Sequence, residues 1–192
     1  MANLTDQIRA QLTARRPEVI AEWNARLAVV LIPLYLDRGE WHVLFTERTH
    51  TVEDHKGQVA FPGGRVDEGD ASRVATALRE TEEEIGLQPA DVTVLGQLDE
   101  LLTVTQYRVT PVVGVFPWPY PFVLSTEELS EVFGVPLAWL LDLANCEIQY
   151  RELLITGPKI PVYYFRYQGH IIWGVTARML VGFLELIKPL PG

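Results

Sequence analysis

The 192-residue chain predicts an α/β fold, a mixed β-sheet sandwiched by helices, on three observations. Apolar runs of strand length, beginning with residues 26–36 and 41–46, are bounded by Gly, Asp and Pro turn residues. Between them stand a few segments of helical period, the strongest at residues 73–85. Hydrophobic residues make up 48% and charged residues 21%, enough to bury the core of one domain, residues 1–192, and unlike a disordered chain.

Residues 4–12 read as a short amphipathic helix within an accessory N-terminal segment, residues 1–25. A buried strand at 26–36 turns through Asp37-Arg38-Gly39-Glu40 into a second at 41–46. Residues 48–56 form a polar loop without periodicity, and 59–61 a short strand that enters Pro62-Gly63-Gly64. In the helix that follows, Asp70-Ala71-Ser72 supplies cap-type residues at the start and Gly86 is a natural stop. Two further strands are expected at 92–105 and 108–118. Pro117, Pro119 and Pro121 then mark a loop. An extended segment at 127–135 leads to a helix opened by Pro136, and 147–156 with 160–167 form a hairpin around Gly157-Pro158. Residues 174–187 close the chain as a helix.

Net charge is −9, and the span 64–87 carries −4 of it, seven acids against three arginines. Such a chain is a poor host for nucleic acid, which needs a basic surface. The longest apolar run, 27–36, is too short to cross a bilayer, so no membrane partner is expected. The opening residues lack the pattern of a secretory signal. Cys146 is the only cysteine, which excludes an intrachain disulfide and suits the cytoplasm.

Chemistry concentrates at residues 61–87. Glu80, Glu83 and Glu84 stand at i, i+3 and i+4 and share a helical face, while Val74, Leu78, Thr81 and Ile85 form a stripe suited to a core. Like charges at that spacing repel, which a solvated acidic face tolerates and a hard divalent cation exploits. The Gly63-Gly64 turn upstream lets backbone approach a metal or phosphate closely, which favours the metal.

At these residues the chain resembles the Nudix hydrolases, whose signature, the Nudix box, is a Gly, a short loop and a helix carrying Arg-Glu-x-x-Glu-Glu-x-Gly before an aliphatic residue. Gly64, Arg79, Glu80, Glu83, Glu84, Gly86 and Leu87 fill those places. The interval from Gly64 to Arg79 is one residue longer than usual, so the place of the loop acid falls on Ala71, with Asp70 beside it. Thr81 stands where an apolar residue is usual. The resemblance implies a Nudix-type α/β/α sandwich and a pyrophosphohydrolase that uses Mg²⁺ or Mn²⁺. It assigns metal coordination to Glu80, Glu84 and the Gly64 carbonyl, and makes Glu83 a further ligand or the base. Arg79 would orient a neighbouring glutamate, and Glu128 lies where many members place another ligand or base; Glu131 is a weaker candidate for the same role.

A second resemblance, to coenzyme A pyrophosphatases, rests on Thr46, Arg48, Gly57, Phe61, Pro62, Gly63 and Gly64, with Glu53 where a basic residue is often found. Val109-Thr-Pro-Val-Val113 and Ile172-Trp-Gly-Val-Thr-Ala-Arg178 extend it. It implies a small-molecule substrate, coenzyme A or an acyl derivative, cleaved to 3′,5′-ADP and 4′-phosphopantetheine or its acyl form. Arg48, His55 and Lys56 would meet the 3′-phosphate or the adenosine ribose. ADP-ribose, NADH or a nucleoside triphosphate is the alternative substrate, and a silent nucleotide-sensing module the alternative class. A homodimer is compatible with this reading. Trp118 is left open as an adenine stack, whereas His42 and His170 lack an evident ligand cluster and are expected to be structural.

Overall fold

A computed structural model describes residues 4–21, 24–49, 57–152 and 158–188. Four helices are present among them: α1 (Leu4–Ala14), α2 (Arg73–Ile85), α3 (Leu137–Leu141) and α4 (Gly174–Ile187). The strands of the main sheet are β1 (Arg26–Asp37), β2 (Glu40–Arg48), β3 (Val59–Ala60), β4 (Gly63–Arg65), β5 (Thr93–Gln97), β6 (Leu101–Leu102), β7 (Tyr107–Val115) and β8 (Leu129–Pro136). A second sheet holds β9 (Cys146–Glu152), β10 (Lys159–Tyr167) and β11 (His170–Trp173).

The main sheet runs β3-β2-β1-β7-β5, with β4 on β1, β6 on β7 and β8 on β2. β1 and β7 are parallel over residues 26–34 of β1, and the other pairs are antiparallel, which makes the sheet mixed. Alternation along β1 sends Val29 and Leu31 to one face and Ile32 and Leu34 to the other. The first face packs on α2 through Ala77 and Ile85, with Leu87 just beyond the helix, Phe116 and Leu129. The second packs on α1 and α4 through Ile8, Leu12, Leu180 and Phe183, with Phe165 and Ile172 of the second sheet. Helices therefore cover both faces of the sheet, the sandwich expected from the sequence.

Several expected elements are redrawn. Residues 92–105 are not one strand: Gly96, at φ 155°, breaks the register against β7, and the chain then turns Glu100 inward. Glu100 is almost fully buried between Arg73 and Arg108 and accepts from Ile20 N–H and Thr110 Oγ1. Gly63–Arg65 pairs as β4, although two glycines in three residues give no strand signal. The closing segment gains β11, paired to β10, before α4 begins at Gly174, which holds φ 64°. The turn of the β9–β10 hairpin, including Gly157, lies outside the described residues.

No described helix is long and apolar enough to cross a membrane. α1 extends to Ala14, and its Leu12 sits so close to Gly96 that a Cβ there would stand 2.7 Å from the Leu12 Cβ. Helix α1 is thus part of the core rather than an appendage. Ile8→Ala is expected to destabilise the fold by about 2–4 kcal/mol, because Ile8 is fully buried. Urea denaturation checks it; a cost below about 1 kcal/mol would show α1 to be dispensable.

Candidate active site

Helix α2 starts where Ser72 accepts the Ala75 N–H in its side chain and stops at Gly86, which is left-handed at φ 72°. Its thirteen residues bury Ala77, Thr81 and Ile85. Thr81 lies on the core face like the apolar residue it replaces, because its hydroxyl donates to the Ala77 carbonyl at 2.6 Å. The three glutamates do not share one environment. Glu84 falls on the buried side, 8% exposed, while the Glu80 side chain is 19% exposed and that of Glu83 60%.

Before α2, the chain makes β4. Leu31 N–H donates to Pro62 and Val66 N–H to the Leu27 carbonyl, and between them Gly64 is the partner of Val29. In an antiparallel ladder, alternate residues exchange both bonds, so Gly64 spends its N–H and C=O on β1. Gly63, one residue earlier, turns its own N–H and C=O away from β1. That N–H donates to the Glu84 carboxylate at 3.0 Å. Gly63 holds φ 151°, and a Cβ there would collide with the Val29 carbonyl; a Cβ on Gly64 would overlap the Glu80 carboxylate. Gly63 is required by the backbone beside it, whereas Gly64 leaves room for the Glu80 carboxylate.

Arg79 joins the loop to the helix. Its Nε and Nη2 donate to Asp70 at 3.0 and 3.1 Å, Nη2 also reaches the Arg65 carbonyl at 3.2 Å, and the guanidinium contacts Glu80 at 2.9 Å and Glu83 at 3.1 Å. The acid that the loop supplies to Arg79 is therefore Asp70, not the Ala71 position counted back from the helix. The Arg79 bonds, with Asp67 N–H and Thr76 Oγ1, hold the Asp70 carboxyl well below the usual range. The same contacts raise Arg79, with Asp70 the main cause. Thr76 is a residue that the sequence did not mark; its hydroxyl, two turns from Glu83, braces Asp70.

Burial raises both inward-facing carboxyls. Glu80 is pushed up by desolvation, against the opposing pull of Arg79. Glu84 rises from near 4.5 to about 7, chiefly through burial, with Gly63 N–H and Arg48 working the other way and Glu128 adding to the rise. The Arg48 guanidinium and the Glu128 carboxylate, 3.7 Å apart, thus both act on Glu84. Arg48 Nε is buried and has no hydrogen-bond partner among the described residues. His55 and Lys56 lie outside the described residues. Glu131 is on the other face of the sheet, and Trp118 stacks on Tyr35 at 4.2 Å.

Two desolvated carboxylates, a carbonyl edge and a close-approach glycine form a hard-oxygen donor set that fits a divalent cation. The NUDIX domain family matches residues 25–146, well over half of the chain. The chain belongs to the Nudix family. A Nudix hydrolase of Escherichia coli K12, named Uncharacterized Nudix hydrolase NudL, is 41% identical over 178 residues, covering 91% of this chain and 90% of that protein. A protein of the same name from Shigella sonnei is 41% identical over 180 residues, 92% of this chain and 91% of its own. Among solved structures, the MutT protein of Methanosarcina mazei Go1 aligns at TM-score 0.53 and 20% identity, over 87% of this chain and 97% of its own. A MutT/nudix family protein of Enterococcus faecalis aligns at 0.55 and 15%, over 98% and 76%. These two establish likeness of fold. With the family and its hydrolase relatives, this Nudix chain is an enzyme, a pyrophosphohydrolase.

Two outcomes follow from this geometry. A carboxyl raised on folding contributes stability below its unfolded value, near 4.5, and loses it as pH climbs through about 7. The metal-free Nudix fold should therefore lose on the order of 1–3 kcal/mol between pH 5 and 8 that Glu84→Gln retains. Urea denaturation of both proteins in chelator at the two pH values reads the difference, and parallel profiles would remove Glu84 from the cause. Gly64→Ala should fold normally yet lose at least tenfold in Mg²⁺ affinity, because its methyl displaces the Glu80 carboxylate. Calorimetric titration with Mg²⁺ checks this, and unchanged affinity would separate Glu80 from the metal.

Proposed function

We propose that this Nudix hydrolase cleaves the diphosphate of coenzyme A or an acyl derivative, with Mg²⁺ or Mn²⁺ held by Glu80, Glu84 and the Gly63 carbonyl. We assign the carbonyl to the residue before the Gly64 expected from the sequence, since Gly64 is engaged with Val29. When bound, the cation screens the phosphate charge and lowers the pKa of a bound water. Every other part of the reading belongs to the chain's own residues. Gly63 N–H and Arg48 bias buried Glu84 toward the ionised form that a ligand must have. Arg79 orients Glu80 and Glu83, leaving exposed Glu83 as the further ligand or the base. Glu128, half-exposed across from Glu84, is the other candidate for that role.

The choice of coenzyme A rests on the stretch from Thr46 to Gly64 that resembles coenzyme A pyrophosphatases, and the observation that supports a diphosphate substrate is the environment of Arg48. Its guanidinium carries an unused buried Nε and acts on Glu84 itself. A cation that close to the metal carboxylates suits the scissile diphosphate, not a 3′-phosphate at the far end of the nucleotide. That shifts the expectation drawn from sequence: Arg48 binds the group that every substrate shares. Reading of the 3′-phosphate is left to Lys56 and His55.

Arg48→Gln should therefore reduce turnover of coenzyme A and dephospho-coenzyme A alike, by roughly ten- to a hundredfold, since one charge-assisted contact is worth about 1.5–3 kcal/mol. Lys56→Gln should impair coenzyme A alone. Glu84→Gln should lose ten- to a thousandfold, on the order of 1.4–4 kcal/mol, with circular dichroism unchanged. Product analysis by mass spectrometry should give 3′,5′-ADP and 4′-phosphopantetheine. Preference for ADP-ribose over coenzyme A in the unaltered enzyme would overturn the substrate and leave the metal site intact.

A further inference from the structure

We propose that His170 and Glu131, with Glu47 as the positioning residue, form a second metal site for a first-row cation of the zinc class, separate from the box helix. The expectation that His170 lacks a ligand cluster does not survive the fold. Glu47 of β2 and Glu131 of β8 are direct cross-strand partners, two positions along from the partners Phe45 and Phe133. By strand alternation the pair lies on the face of Phe45 and Phe133, the α4 side of the sheet. Leu44 and Leu129 belong to the opposite, α2 side. The sheet itself thus separates this pair from Glu80 and Glu84.

Carboxylates directly opposite each other destabilise a strand pair unless a cation joins them. The second sheet delivers His170, the first residue of β11, to that point. Its ring is fixed on two sides: it stacks on Phe133 at 3.7 Å and 9°, and Nδ1 lies 2.7 Å from Glu47 Oε2. A hydrogen bond from Nδ1 to a carboxylate leaves the lone pair on Nε2, the arrangement of a histidine prepared to ligate a metal. Nε2 stands 3.6 Å from Glu131 Oε1. That is too long for a hydrogen bond. Two ligands at ~2.1 Å from one tetrahedral ion stand about 3.4 Å apart, so a cation fits between these atoms with little movement.

The competing arrangement is a protonated His170 clamped between two glutamates. It would draw Nε2 into hydrogen-bonding range of Glu131, and it would cancel one of the two negative charges, whereas a divalent ion cancels both. A nitrogen and a carboxylate oxygen together select zinc or its neighbours over Mg²⁺, which takes oxygen ligands. Water completes the shell. The site stands independently of the substrate reading, because neither ligand belongs to the box.

The test uses the full chain with Glu80→Gln and Glu84→Gln, which silences the box, and titrates it with ZnCl₂ by calorimetry. One equivalent should bind. In parallel, long-range ¹H–¹⁵N spectra of the histidine rings should show the His170 Nε2 resonance move while those of His42, His50 and His55 stay. Adding Glu131→Gln, a half-exposed position that should fold unaided, should weaken zinc at least tenfold, and His170→Gln should do the same. Mg²⁺ should leave the ring resonances in place. Absence of saturable zinc binding, a stationary His170 ring, or undiminished affinity in Glu131→Gln would each overturn the proposal.

Discussion

A single guanidinium, that of Arg79, donates to Asp70 and to the Arg65 carbonyl while touching Glu80 and Glu83, and the box depends on that set of contacts. One side is the loop that leaves β4; the other is two turns of α2. Without the arginine, seven acids between residues 64 and 87 would repel one another across a short helix and its entry loop. With it, Asp70 is held ionised and the glutamates are aimed before any cation binds. The planar fork of Arg supplies several donors in fixed directions, which a lysine ammonium would not. The same contact explains how a loop one residue longer than the usual signature still brings an acid to Arg79: the acid shifts to Asp70, and the guanidinium reaches it.

Glu84 is managed differently. It sits too deep for Arg79 and meets instead one backbone N–H and the field of Arg48. Neither fully offsets its burial, so the metal-free fold holds the Glu84 proton up to a pH of about 7. In the proposed metal site, a cation that took the carboxylate would relieve this cost. Gly63 and Gly64 serve that site from the neighbouring strand. One offers its polar edge to α2, and the other leaves room for Glu80.

The closing motif Ile172-Trp-Gly-Val-Thr-Ala-Arg178 acquires a structural meaning from the same neighbourhood. Ile172 is in the core, Gly174 makes the left-handed turn into α4, and Thr176 donates its hydroxyl to the Val59 carbonyl at 3.1 Å. Helix α4 is thereby tied to the strand just before the Phe61-Pro62-Gly63-Gly64 turn. Phe61 continues the link by stacking on Phe45 at 4.9 Å. Segments more than a hundred residues apart thus hold the turn that carries the site.

Much of this protein is local and was legible in the sequence alone. The helix with its cap-type start and Gly86 stop, the first two strands and the box carboxylates all follow from spacing, because helical period, turn chemistry and strand length act between neighbours. Tertiary structure decided what depends on partners far along the chain. It made a strand of Gly63–Arg65 by pairing it with β1, and split residues 92–105 by drawing Glu100 to Arg73 and Arg108. It separated Glu84 from Glu83 by burial, turned Glu131 away from Glu128, and brought His170 to Glu47. Spacing sets which residues share a face of one element; only packing sets what that face meets, because burial and register are properties of pairs that the chain brings together last.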